Sequence, residues 1–512
     1  MEYDNILYPD ENRKAYIFDK KIMPNCFVDL NLDKIIDAVT DGREGYNLRE
    51  IYHTPLKDIK TIKYRQAVFC DMEKKDVCNA LLRFSKDVRE IQLIKEKKEY
   101  RYYKWQQLRW DLHCVTLYCE AVKNLTQHLK GLPLHSHGLQ LFLQFLLSYG
   151  ASEEFCHLEE ESRAICAQLD SIKYLIRITG DTVYVERYHN QINFSDEVIS
   201  VFSKFRQHDV QTDLELKSSN SGMNHVEGQI LDRVAMLFPD KFNRMEFFLT
   251  ETKGYFNIKI EKFEKDIQFY LSFIEYMSKY KKKGLPFCLP MVQRESKKIY
   301  SVGSYDLALA DSMKDSIDTI IRNDFELDGN ERIFLISGPN QGGKTTFARM
   351  IGQMHYLAIL GLYVPAEQSQ FYLVDCIYTH FEQSENIRNL RGKLYDDLVR
   401  IKAILNSASS DSLIIMNEIF TSTTSKDATY LGTKIMQKVI SLGAIGVCVT
   451  FIDELTTLSR SIVSLMSAVD EEKNGGRTYK IIRKPSDGLA YSSSLVKKYC
   501  LTYREIKMRI RI

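Results

Sequence analysis

Residues 333–348 read IFLISGPNQGGKTTFA. An apolar run suited to a buried strand enters a glycine-rich turn, and Lys344 then opens a helix expected to reach Leu360 and to be closed by Gly361. Within the turn, Gly338, Pro339, Asn340, Gln341, Gly342, Gly343, Lys344 and Thr345 match the pattern G-x-x-x-x-G-K-[ST]. A loop of this kind between a strand and a helix turns its backbone amides and the helix N-terminus toward one anion site. Lys344 adds a positive charge for β and γ phosphates, and the Thr345 hydroxyl can ligate magnesium. The expected ligands are ATP and Mg2+, held by Gly338 through Thr345 together with Thr346.

Downstream, SLIIMNEIF (412–420) is a second apolar strand, ending in Asn417 and Glu418. A carboxylate at such a strand end can take a proton from an attacking water, a role worth roughly 10² to 10⁴ in rate. Glu418 and Lys344 are therefore the expected catalytic residues. Asn417 offers a carbonyl to a magnesium-bound water, in the outer shell, but lacks the formal charge that would hold a dication strongly. Weaker metal binding, with chemistry retained, is the expectation.

From about residue 330 strand and helix patterns alternate: ERIFLISG, a helix, FYLVDCIYTHF, a helix, SLIIMNEIF, a helix, IGVCVTF. This predicts a C-terminal α/β domain of the P-loop NTPase class with a largely parallel sheet. The chain before residue 285 reads instead as an all-helical domain. In 258–283, Ile260, Phe263, Ile267, Tyr270, Ile274 and Met277 recur at helical spacing, Lys281 to Lys283 suit the negative helix end, and Gly284 and Pro286 stop it. One interruption, KYLIRITGDTVYVERY (173–188), alternates around Gly-Asp and predicts a small β-hairpin insertion. The expected domains are an N-terminal extension (1–30), a helical domain (31–285, with the insertion spanning about 173–210) and the α/β domain (286–512).

Composition sets outer bounds. The chain is 44% apolar and 27% charged, with a net charge of +2, so no bulk field draws it to nucleic acid or to an anionic membrane, and any such contact must be a local patch. Eleven cysteines without a Cys-x-x-Cys pair suit a reducing cytosol, and the polar, acidic N-terminus does not read as a signal peptide. LQLFLQFLLSYG (139–150) is too short to span a bilayer. A cytoplasmic protein without a membrane segment is expected.

GPNQGGKTTF is narrower than a generic phosphate loop and resembles the GPN-x-GGK-[ST] loop of the MutS family, the ATPases of DNA mismatch repair. YVPAEQSQFYLVDCIYTHF, LIIMNEIFTSTTSKDA, VCVTFIDELTTL and SDGLAYSSSLV follow in the family's order, and TPLKDIKTIKYRQAVFCDM (54–72) resembles the start of its core and lever domain. The resemblance implies an ABC/MutS-type ATPase domain, a homodimer with composite nucleotide sites, and helical levers that clamp DNA by structure rather than sequence. The hairpin falls about where the family inserts its clamp. The mismatch-reading domain finds no counterpart, and whether a MutL-like partner exists stays open.

Several family positions differ. The magnesium aspartate is Asn417, the histidine taken to sense the γ phosphate is Phe451, the serine sent into the partner's site is Gly392, and the aromatic residue stacked on adenine is Ile320. Lys393, beside Gly392, is a candidate for the partner's γ phosphate or a plain surface lysine; Asp453 is a candidate substitute for the missing charge or a solvated carboxylate. The basic and aromatic run 95–110 is better read as a helix with Tyr102, Trp105 and Leu108 inward than as a nucleic-acid platform, and His135, His137, Cys156, His157, Glu160 and Glu161 lack the pairing of a metal site. The expected function is slow ATP hydrolysis switching a DNA-gripping dimer in repair or recombination. The alternative is an ATP-gated, non-hydrolysing clamp or scaffold with a protein or RNA partner.

Overall fold

The computed structural model describes residues 3–9, 23–96, 102–189, 223–313, 316–382, 393–420, 423–470, 476–485 and 501–510. Two compact units divide the chain, and the division does not follow the change of texture near residue 285. One unit holds residues 1–3, 71–135 and 139–264; the other holds 4–70, 136–138 and 265–512.

The first unit is helical, with long helices at Lys75–Glu96, Lys104–Lys130, Glu153–Asp170, His225–Leu237 and Pro239–Glu251. Its core is aromatic: Phe142 and Phe263 stack with ring centroids 3.4 Å apart, and Tyr118 packs against Phe256 at 4.7 Å. The predicted hairpin is present as β1 (Tyr174–Thr179) and β2 (Thr182–Arg187), antiparallel, with Ile176 opposite Val185 and Gly180 turning at φ 65°. Two strands alone cannot bury both faces, and Ile178 is 71% exposed. The strand-face charges are matched instead, with Arg177 paired to Glu186 at 2.7 Å and lying over the Tyr184 ring. In the basic and aromatic run, Trp105 packs on Phe242, but Tyr102 is 86% exposed rather than inward, because it precedes the first turn of its helix. Glu161 is taken by Arg244 in a two-pronged pair at 2.7 and 2.8 Å.

The second unit is built on a six-stranded sheet in the order β12-β11-β6-β10-β9-β8, where β6 is Ile333–Ser337, β8 Ile377–His380, β9 Leu413–Asn417, β10 Ile445–Val449, β11 Ile462–Asp470 and β12 Gly476–Arg483. All neighbours are parallel except β11 and β12. Strands β6, β9 and β10 are buried along their whole length, as expected of a parallel sheet covered on both faces. A smaller four-stranded sheet, in the order β3-β7-β4-β5, uses β3 (Met291–Gln293), β4 (Ile299–Ser304), β5 (Asn323–Leu327) and β7 (Gln368–Tyr372).

FYLVDCIYTHF is therefore not one strand, as its apolar run suggests. Its first residues end β7 in the small sheet, its last belong to β8 in the large one, and Leu373 to Cys376 cross between them. The crossing is held at both sides: Leu373 N donates to Gln293 O, and Leu413 N donates to Cys376 O.

Helix Lys344–Ile359 follows β6 and is buried over nearly all its length, closed by Gly361 at φ 79°. Gly352 allows close packing there: a Cβ would lie 2.6 Å from Leu30 Cδ2 and 2.8 Å from Ile415 Cδ1, so both side chains would have to shift to admit it. Leu30 ends the short helix Cys26–Leu30, so this N-terminal segment is packed with the sheet. Gln353 binds Leu30 O, Leu307 N and Asp306 in the same layer. Arg65, fully buried, donates to Leu7 O and Leu360 O and lies between the rings of Tyr8 and Phe269. Helix Ile258–Lys281 carries the predicted apolar positions, but Phe269, Ser272, Phe273 and Tyr276 are buried as well, so its second half is enclosed beyond one face.

Candidate nucleotide-binding site

In a parallel sheet the carboxyl ends of neighbouring strands share one edge, and a crevice forms outside them. Here β6, β10 and β9 are consecutive neighbours, with Val449 opposite both Ile336 and Asn417. The loop after β6, Asn417 and Glu418 after β9, and Phe451 after β10 are thereby brought to the same place although they lie far apart in sequence.

The loop from Gly338 to Gly343 turns through positive φ at Gly338 (112°), Gln341 (59°) and Gly343 (88°), and Gly343 is the N-cap of the helix that Lys344 opens. Gly342 is dictated by a neighbour that no motif announces. Ser467 of β11 donates its hydroxyl to Gly342 O at 2.8 Å, and a Cβ at Gly342 would stand 2.2 Å from that Oγ. Lys344 is 4% exposed and folds back over the loop, its Nζ donating to Gly338 O at 2.8 Å and to Pro339 O at 2.9 Å. The Phe451 ring lies over the ammonium, 4.5 Å from Nζ to centroid. Burial pushes the Lys344 ammonium down to about 8; the Glu418 carboxylate works against that shift and Arg477 adds to it.

Thr345 Oγ1 donates to Asn417 Oδ1 at 2.9 Å, joining the helix after the loop to the end of β9. The two oxygens are hard, neutral donors of the kind that suit magnesium with part of its water shell kept. Immediately beyond, the backbone is forced into the left-handed region at Glu418 (φ 54°) and Phe420 (φ 62°), where a side chain costs of order 1–3 kcal/mol. The Glu418 amide donates to Val449 O at 2.9 Å, which fixes the turn against β10. The result is a half-buried carboxylate that lines the cavity instead of continuing the strand.

That cavity, about 480 Å³, is lined by Gln341 through Thr346 and by Glu418 at its polar end, and by Leu309, Ile320, Met350 and Tyr479 at an apolar end. Gly338, Pro339 and Asn340 form the first half of the loop, and Asn417 reaches the site through Thr345. Ile320 stands at the edge where the resemblance places an aromatic ring. Tyr479 of β12 supplies a ring to the same cavity; it is half exposed, and its Cα lies 3.7 Å from where a Cβ of Gly343 would be. Its backbone (φ 56°) is held by Asn323, which donates to Tyr479 O and accepts from Ile481 N. Sequence reading missed Tyr479, Asn323 and Ser467; each acts through strand register, which leaves no local pattern.

Other candidates separate from this centre. Lys393 begins helix Lys393–Ser407 and is paired with Glu382 of its own chain, so its charge is already matched. Gly392 and SDGLAYSSSLV lie outside the described residues. Asp453 opens a short 3-10 helix and does not line the cavity. Asp71 holds the His135 amide with both carboxylate oxygens, a structural use of that loop. No helix among the described residues is long and apolar enough to cross a membrane.

Residues 334–498 match the family model of MutS domain V. Among curated proteins, the chain is 28% identical over 203 residues to the DNA mismatch repair protein MutS of Chlorobium phaeovibrioides, an alignment covering 40% of this chain and 23% of that protein. The chain thus spans under a quarter of the length of the relative it matches.

Proposed function

We propose that this chain, which belongs to the MutS family through its residues 334–498, binds ATP with magnesium and hydrolyses it slowly to switch a DNA-gripping dimer in DNA repair or recombination. One observation carries the reading: the Thr345–Asn417 hydrogen bond ties the loop to the β9 end, so the loop amides, Lys344 and Glu418 open into a single cavity.

In this reading Lys344 exchanges the carbonyls of Gly338 and Pro339 for phosphate oxygens, moving from one set of acceptors to a more strongly charged one. Thr345 and Asn417 would hold magnesium, which supplies charge neutralisation on the phosphates. Glu418 takes the proton of the attacking water, held in position by the strained turn. Leu309, Ile320 and Tyr479 give the base an apolar slot that includes the half-exposed Tyr479 ring. Loss of the charge at position 417 weakens the metal, and the Phe451 ring over Lys344 must yield to the nucleotide, so the rate is low.

The β1–β2 hairpin and the helical unit supply the DNA-contacting surface, through phosphates and shape. Steady-state ATP turnover, with and without duplex, mismatched and branched DNA, tests the proposal. A wild-type rate well above that of Glu418→Ala, raised or lowered by one of the DNAs, is the expected result. Equal rates for the two proteins would remove hydrolysis, and no salt-dependent binding to any DNA would remove the DNA partner.

A further inference from the structure

The apolar end of the cavity contains one carboxylate. Asp306 caps the short helix Leu307–Ser312 and lines the cavity while only 5% exposed. The fold uses one of its oxygens. Oδ1 accepts from Leu309 N at 3.0 Å and from Gln353 Nε2 at 2.8 Å, whereas Oδ2 takes no hydrogen bond among the described residues. Burial raises the pKa of this carboxyl; the N–H groups of Leu309, Gln353 and Ala308 and the Arg349 charge work against that rise. An open acceptor on a buried carboxylate is costly unless a ligand or water supplies a donor. Its neighbours in the cavity wall turn their polar atoms to the backbone: Tyr305 Oη donates to Pro286 O, Thr319 Oγ1 to Ser316 O, and the Asn323 amide is held at both ends by Tyr479 and Ile481. The helix behind the loop sets how far Asp306 is from the phosphates. Gln353, to which it is bonded, lies about 13 Å beyond Lys344 along the axis of Lys344–Ile359, at about 1.5 Å per residue. A triphosphate held at Lys344 would bring its base, not its phosphates, toward this carboxylate. One open oxygen then selects among bases. Guanine presents N1–H and N2–H side by side, a pair suited to both oxygens of a carboxylate, but Oδ1 is already filled, and guanine O6 is an acceptor that a carboxylate repels. Adenine presents its N6 amine, one donor group for one open oxygen.

We propose that Asp306 is the base-reading residue of this site: its Oδ2 accepts a hydrogen bond from the N6 amine of adenine and so sets a preference for ATP over GTP. The proposal rests on the ATP-binding reading above and adds to it the source of base selectivity. The apolar slot gives the base its contact area, and Asp306 gives it its identity.

The test is equilibrium binding of ATP, GTP and purine riboside triphosphate, which carries hydrogen in place of the N6 amine, to the full chain as wild type and as Asp306→Asn. The wild type is expected to bind ATP about tenfold or more tightly than either of the other two, the effect of one hydrogen bond to a charged group. In Asp306→Asn the carbonyl oxygen stays with Leu309 N and Gln353 Nε2, and the amide NH2 takes the place of Oδ2, a donor where an acceptor stood. ATP should weaken about tenfold and GTP should gain through its O6, so that the preference disappears or reverses. A wild type that binds ATP and purine riboside triphosphate equally would overturn the proposal without any variant, as would GTP bound as tightly as ATP. An unchanged preference in Asp306→Asn would also overturn it, and so would an equal loss of all three nucleotides, by assigning Asp306 to the fold alone. A wild type that binds none of the three overturns the ATP-binding reading itself, and this proposal with it.

Discussion

Two strand ends meet at the cavity and have been treated differently. The end of β6 keeps every element of an anion loop: three positive-φ turns, a glycine packed against Ser467, and a lysine satisfied by two loop carbonyls. The end of β9 keeps the geometry, with a strained Glu418 turned into the cavity, but offers the metal an amide where a charge would be stronger. On the proposed reading the difference makes gripping phosphates and positioning water separable: the first would rest on the backbone and the loop lysine, the second on the charges around a metal.

The comparison can be broken first at β6. Lys344→Met should cost about 3 kcal/mol in ATP binding, more than a hundredfold in affinity, because no other side chain of the loop carries charge; equilibrium binding checks it, and near-normal affinity would show that the loop does not hold the phosphates. The helix behind the loop gives a similar effect on stability. His355 is fully buried, its Nδ1 bonded to Ile351 O, and burial depresses it to about 4. The native state therefore keeps it neutral while the unfolded chain takes up a proton below about pH 6.5, so stability is full above that pH and falls with acidification toward pH 4, by about 3 kcal/mol at most. Denaturant melts from pH 7 to pH 4 should be flattened in His355→Gln relative to wild type; parallel profiles would place the acid sensitivity elsewhere. Gly352→Val pushes methyl groups into Leu30 and Ile415 and should destabilise by about 2 kcal/mol, read as a lower denaturation midpoint with an unchanged slope.

Local residue pattern showed the loop of the first strand end, though not the Ser467 contact that packs it, and the second strand end in outline. The loop, its helix, β9, β10 and the hairpin follow from apolar periodicity and turn chemistry, which act over a few neighbours. What escaped acts over distance. FYLVDCIYTHF stays apolar through Leu373 and Val374, both buried, so hydropathy carries no sign that the chain changes sheets there. Ser467 and Tyr479 reach the loop because β11 lies beside β6 and β12 pairs with β11 through a register shift, facts of pairing that side-chain type does not encode. The packing of residues 4–9 and 23–70 with the sheet likewise depends on partners such as Arg65 with Leu360 and Gln353 with Leu30, almost 300 or more positions away. The changed contact at Phe451 was visible as a substitution; only the fold shows its ring over Lys344.

The smallest expected effect is the most informative about the β9 end. Single-turnover ATP hydrolysis measured across magnesium concentration, for wild type, Asn417→Asp and Glu418→Ala, asks directly whether this end is retuned or lost. The account predicts wild-type hydrolysis above Glu418→Ala at saturating magnesium, and a half-maximal magnesium concentration about tenfold lower in Asn417→Asp, the effect of about 1.4 kcal/mol from restoring one charge near the metal. A wild type no faster than Glu418→Ala at any magnesium concentration, or an Asn417→Asp curve superimposed on the wild type, would contradict it.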